Sequence, residues 1–184
     1  MGFVCCSGSI KKTHFKLVMI GFEGAGKATI DYQLRILHNM SFVYNCNGST
    51  TFIYKGIVVD LFTLELIDVV QDNTLTIYLK DTDGIILVID SNDKEKFEKN
   101  KEVFYSIINN FELRNCPILI MANKQDIPTS KSTEEISTEF SLNTIRNRTI
   151  LLQGVNAKDI RNEYGNEDIK KSFLWITNSL LGKE

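Results

Sequence analysis

Proline is scarce in this chain, two residues in 184, and neither lies in a Gly- or Ser-rich run that would read as a linker. One domain is the expectation, long enough to bury a substantial core. Four cysteines and two histidines offer no zinc-ligand spacing: Cys5 and Cys6 are adjacent, while Cys46 and Cys116 stand alone. No apolar run approaches the ~20 residues needed to cross a bilayer. The opening MGFVCCSGSIKK lacks the basic-then-apolar order of a secretory signal. A disulfide framework is therefore not expected, and a reducing, intracellular setting is. The N-x-[ST] strings at Asn39, Asn47 and Asn147 then read as chance rather than glycan sites. The formal charge of −2 supplies no basic field, so no nucleic-acid partner is expected. What is present, 43% apolar and 24% charged residues, excludes a disordered chain.

Short apolar strands alternate with helical patterns, as a parallel sheet requires. FKLVMI (15–20), GIILVID (84–90) and PILIMAN (117–123) are continuous apolar runs suited to strands covered on both faces. STTFIY and IVVDLFTLEL, parted by Lys55-Gly56, read as a hairpin, and TILLQGVN as a last strand. A helix is expected from Lys27, with Ile30, Leu34 and Leu37 on one face. Phe97, Phe104, Ile108 and Phe111 mark a second, and residues 132–140 a short third. Asn166 to Leu181 form a last helix, with Ile169, Phe173, Ile176 and Leu180 on one side and Glu167 and Asp168 at its positive end. Residues 39–49 and 69–80 read as polar and irregular.

Between the first strand and the first helix stands GFEGAGKAT (21–29), which matches G-x-x-x-x-G-K-[ST] up to its last position. Glycine permits backbone conformations that turn successive N–H groups inward, making an anion nest. The helix start adds its positive dipole end and Lys27 a point charge. Glu23, Gly24, Ala25, Gly26, Lys27, Ala28 and Thr29 are thus candidate phosphate-binding residues. Ala28 is the departure, because a methyl group cannot hold the Mg²⁺ that usually bridges terminal phosphates. Thr29 carries a hydroxyl one residue on, about 100° around the helix, and is expected to touch phosphate rather than replace the ligand.

PILIMANKQD ends a buried strand in Asn123-Lys124-Gln125-Asp126. A carboxylate such as Asp126 accepts the two donors on the guanine edge, a pair that adenine lacks, and the wrong base leaves it unpaired. Asn123 can brace neighbouring loops, and the Lys124 stem can lie over a base. Downstream, Asn156-Ala157-Lys158 follows the last strand, where a backbone N–H near Ala157 can meet the guanine carbonyl oxygen.

With DSND (90–93), ANKQDIP (122–128) and LWITNSLL (174–181), these strings resemble the Arf/Arl (ADP-ribosylation-factor-like) branch of small GTPases over about residues 15–181. The resemblance implies an α/β fold of the P-loop NTPase, small-GTPase type, with a mostly parallel six-stranded sheet flanked by helices. It implies GTP or GDP as ligand, Mg²⁺ as companion, effector and regulator proteins as partners, and a role as a membrane-associated switch in vesicle traffic or signalling. It assigns 15–184 to the GTP-binding domain. Family members carry a switch-one threonine; counting back from YKG (54–56) puts Tyr44 or Asn45 there. They also carry D-x-x-G-Q, whose Asp holds Mg²⁺ through water and whose Gln orients the attacking water. Counting forward from YKG puts Thr63 in place of that Asp; a shifted register offers Asp68 as a weak metal candidate. No catalytic residue is secure in either register. Positioning and electrostatics dominate phosphoryl transfer, and one lost donor costs ~10²–10³ in rate, so weak intrinsic hydrolysis is expected.

Residues 1–14 are expected to be a flexible, lipidated segment on the cytoplasmic face of membranes. Gly2 nearly meets the N-myristoylation pattern, and Cys5 and Cys6 are placed for S-acylation; two chains anchor where one holds only marginally. Lys11 and Lys12 add a small electrostatic pull. Two other readings stay open: a working GTPase that borrows a partner's groups, and a nucleotide-free scaffold that keeps the fold for interactions.

Overall fold

The computed structural model describes residues 12–36, 41–45, 49–54, 56–66, 77–158 and 166–182. Seven strands form one sheet, in the order β2-β3-β4-β1-β5-β6-β7. They are β1 (His14–Phe22), β2 (Ser41–Tyr44), β3 (Thr50–Tyr54), β4 (Ile57–Leu66), β5 (Gly84–Asp90), β6 (Ile118–Asn123) and β7 (Ile150–Gly154). The pairs β4-β1, β1-β5, β5-β6 and β6-β7 are parallel, whereas β2-β3 and β3-β4 are antiparallel. The helices are α1 (Lys27–Arg35), α2 (Phe97–Asn109), α3 (Thr133–Glu139) and α4 (Glu167–Leu180).

The apolar strands do what uninterrupted hydrophobicity requires: their side chains alternate between two cores. Leu17, Met19, Ile86, Val88, Leu119 and Met121 pack with Ile30 and Leu34 of α1 and Ile169, Phe173 and Ile176 of α4. Val18, Ile20, Ile85, Leu87, Ile118 and Ile120 face the other way, onto α2 and α3. There Phe140 lies 5.4 Å from Phe97 and 5.2 Å from Phe104, ring centre to ring centre. On the first face Phe52 meets Phe173 at 5.2 Å.

Local chemistry sets the ends. Between β3 and β4, with Tyr54 opposite Ile57, Gly56 takes φ 81°, in the left-handed region that favours glycine. Ser132 and Glu135 close a capping box on α3. The Asn166 side chain accepts from the N–H groups of Asp168 and Ile169 at the start of α4.

Two expectations need correction. The sheet has seven strands rather than six, because Ser41–Tyr44, read as irregular, pairs antiparallel with β3. Its apolar residues, Phe42 and Val43, are both exposed, so they carry no core pattern for periodicity to find. Phe111 does not extend the apolar face of α2. The helix stops before Asn110, whose extended backbone and side-chain cap start a separate 3-10 turn. Phe111 is left 72% exposed, with the Arg114 guanidinium over its ring. Val103 and Ile107 complete that buried face instead. Leu37 of the expected α1 face lies outside the described residues.

Candidate functional site

The carboxyl ends of the five parallel strands gather at one edge of the sheet, where open α/β folds bind ligands. A cleft of about 410 Å³ lies there, within the ~300–1,000 Å³ typical of ligand pockets.

One wall is the loop between β1 and α1. Gly24 and Gly26 hold φ at 79° and 99°, the left-handed turns that curve N–H groups inward. A Cβ on Gly26 would stand 2.2 Å from Asn123 Nδ2, so no side chain fits. Helix α1 begins with no side-chain cap and no acidic residue in its first turn, which leaves its leading N–H groups and dipole end for an anion. Lys27 is 7% exposed. Its Nζ donates to the carbonyls of Gly21 at 2.8 Å and Phe22 at 2.9 Å. Burial pushes its ammonium below the ordinary lysine value, an effect that Glu65 and Glu23 partly offset. Gly24, Gly26, Lys27, Ala28 and Thr29 line the cleft. Glu23 is exposed and Ala25 buried, so these two shape the loop from outside the lining.

The opposite wall is built by β6, β7 and the loops after them. Asn123, 3% exposed, donates from Nδ2 to the Ala25 carbonyl at 2.8 Å and accepts the Ala157 N–H at 3.0 Å. One amide thereby ties the phosphate-type loop to the loop after β7. Lys124 sits at φ 66°, and its Nζ pairs with Asp90 at 2.5 Å. Asp126 is exposed and lines the cleft; no described residue hydrogen-bonds its carboxylate. Lys158 also lines this wall. Ala157 lines the cleft too, and its N–H donates to Asn123 Oδ1.

Sequence reading missed several members of this wall. Gln125 turns away from the cleft and donates to Ser91 Oγ at 2.9 Å and to the Lys131 carbonyl at 3.0 Å. Gln33, fully buried in α1, donates to the Ala157 carbonyl at 3.2 Å and accepts the Asn166 N–H at 3.2 Å. A polar residue inside an apolar helix face was its one sequence signal. Ile127 and Asn156, members of the quoted strings that were given no role of their own, add to the lining.

The end of β4 closes the cleft. Thr63 pairs with Met19 and Glu65 with Gly21 in the parallel register, and both line the cleft. The strand runs unbroken from Ile57 through Leu66, with Thr63 three residues before its end. Asp68 lies outside the described residues, as do Gly2, Cys5 and Cys6. Asn45 does not line the cleft; its side chain donates to Ser49 Oγ at 2.9 Å and Thr51 Oγ1 at 2.8 Å.

A profile of the ADP-ribosylation factor family (Arf) matches residues 4–180. The chain belongs to the ADP-ribosylation factor family. It is thereby a GTP-binding protein of the Arf-like small-GTPase type with a P-loop fold, and the glycine loop is its P-loop. Arf-family proteins associate peripherally with membranes, and among the described residues no helix is long and apolar enough to cross one.

The family's magnesium ion fits poorly here. Ala28 presents a methyl group to the cleft, and Thr63 presents a hydroxyl in place of a carboxylate. Among the described residues no group of three or more His, Cys, Asp or Glu can hold a metal. The described P-loop and β4 residues therefore do not assemble the usual protein ligands of Mg²⁺.

Proposed function

We propose that this Arf-family chain is a guanine-nucleotide-binding regulator whose intrinsic GTP hydrolysis is close to background. The observation that carries the reading is an asymmetry within one cleft. At one end Asn123 and Lys124 are held by their partners with the Asp126 carboxylate open beside them, while Ala28 and Thr63 stand at the other, where the family's metal ligands belong.

In this reading the nest of Gly24, Gly26 and the α1 N-terminus binds phosphates, with Lys27 as its fixed charge. The open carboxylate of Asp126 accepts the guanine N1–H and amino group, and the Lys124 stem, held by Asp90, covers one face of the base. Adenine offers Asp126 no such pair and leaves it desolvated without a partner. Hydrolysis demands a charge-neutralising metal and an aligned water, and the Ala28 methyl and Thr63 hydroxyl offer the metal none of its usual ligands.

The membrane role belongs to the same proposal. Acylation of Gly2 with Cys5 or Cys6 would hold the protein on the cytoplasmic face, where effector and regulator proteins of traffic or signalling meet it.

Chromatography of nucleotide released from the purified chain, beside a guanosine-against-adenosine competition, tests the central claim. Guanosine phosphates are expected in the bound fraction and as the winning competitors. An equal preference for adenosine phosphates would overturn the reading. Single-turnover GTP hydrolysis at or near the uncatalysed rate tests the second part, and metabolic labelling with myristate and palmitate analogues tests the third.

A further inference from the structure

Glu65 stands near the end of β4 and lines the cleft. It follows Thr63 by two residues, so the strand period of two brings both to the same cleft. Its register partner is Gly21, whose carbonyl holds Lys27. The Glu65 carboxylate consequently lies 3.7 Å from Lys27 Nζ.

The ammonium of a lysine has three donors. Two of those on Lys27 are engaged by the Gly21 and Phe22 carbonyls, and the third faces an anion the protein already carries. Another cation, Lys96, donates to the Glu23 carbonyl and pairs with Asp93. The outer end of the cleft thus holds the buried positive charge of Lys27 with a carboxylate beside it, and Ala28 and Thr63 add no charge.

We propose that Glu65 is a specificity-determining residue that makes this pocket favour guanosine diphosphate over the triphosphate. The inference rests on the guanine-nucleotide reading above. A terminal phosphate approaching Lys27 meets the like charge of Glu65, and like charges juxtaposed in a partly desolvated site are a strong discriminator. The diphosphate keeps the P-loop nest and the base contacts and avoids that conflict. Glu65 is 57% exposed, so its replacement removes charge without emptying a core position.

The test is titration of the full chain with fluorescently labelled GDP and GTP, with EDTA and with Mg²⁺, for the native protein and for Glu65→Gln and Glu65→Ala. With EDTA the native chain is expected to hold GDP more tightly than GTP, and either variant to shift the ratio toward GTP by about tenfold or more. Native GDP binding with an unmoved GDP:GTP ratio in both variants would overturn the proposal while leaving the guanine reading intact. So would a loss of Mg²⁺-dependent GTP binding in Glu65→Gln, which would make Glu65 a metal ligand. Absence of GDP binding by the native chain would overturn the guanine reading, and this proposal with it.

Discussion

At one end of the cleft Asn123 and Gln125 each reach two partners and Lys124 pairs with Asp90, leaving the Asp126 carboxylate open. At the other end Ala28 and Thr63 face the cleft with a methyl group and a hydroxyl, and Lys27 already has Glu65 beside it. The difference shows why recognition and turnover separate so readily within one pocket. Recognition at the first end depends on loops that also brace one another. Changing Asn123 would strand the Ala25 carbonyl and the Ala157 N–H. Turnover at the second end depends on single groups that project into the cleft and support nothing else. Such groups can be exchanged at little cost to the fold.

The sharpest way to break the comparison is at Asp126. Asp126→Ala is expected to weaken guanosine-phosphate binding by about 10²–10⁴-fold, since two hydrogen bonds to a charged acceptor disappear. Adenosine-phosphate binding and thermal stability are expected to stay unchanged, because Asp126 is exposed and no described residue bonds its side chain. Isothermal titration with both nucleotides reads this. An equal loss for both would show that the residue shapes the loop rather than reads the base.

Next in size is Asn123→Ala. The substitution leaves one buried carbonyl and one buried N–H without their partner, each worth about 1–3 kcal/mol. Denaturant unfolding of the nucleotide-free protein is expected to show a loss of roughly 2–4 kcal/mol. A loss near zero would mean that the brace between the two loops forms only around the ligand.

How much of this was legible in the sequence follows the same division. The strands whose cores are buried on both faces announced themselves as apolar runs, and the P-loop and N-K-x-D strings lay at their ends. Those motifs are local, so spacing along the chain equals position in space. The rest depends on pairing between distant segments. The place of Thr63 rests on β4 lying parallel to β1 in one register, which no local pattern determines. Glu65 was overlooked because it looked like one polar residue in an alternating strand, and only the register brings it to Lys27. Strand β2 was missed because Phe42 and Val43 are exposed. Gln33 went unnoticed because its two partners lie more than a hundred residues away in sequence.

At the outer end, restoring groups asks whether the vacancy is local. Ala28→Thr together with Thr63→Asp is expected to make nucleotide binding depend on Mg²⁺. The gain over EDTA should be on the order of tenfold, about 1.4 kcal/mol. Because both residues face the cleft, the pair should leave the unfolding midpoint close to native. No gain with Mg²⁺ would place the defect elsewhere, in the segment after Leu66 or in Glu65.

The smallest expected effect concerns the one residue shared by both ends, and it is read as a slope with pH. Lys27 is buried among Glu65 from β4, Glu23 from the P-loop and the more distant positive charge of Lys96. Desolvation is the largest influence, so its folded pKa lies below the ordinary value of 10.5. Between that lowered value and 10.5 the unfolded chain binds more protons at this position than the folded one. Stability contributed by this group therefore rises with pH across that window, by at most about 1.4 kcal/mol per pH unit. Other lysines blur the absolute curve, so the useful quantity is the difference in unfolding free energy between native protein and Lys27→Met, followed from neutral pH to 10.5 without nucleotide. That difference is expected to move in favour of the native chain as pH rises. Adding Glu65→Gln to both proteins removes a charge that favours the protonated lysine, so the rise should begin at lower pH. A flat difference would mean that Lys27 keeps its proton as easily as a surface lysine, and that water rather than Glu65 is its true counterpart at the outer end of the cleft.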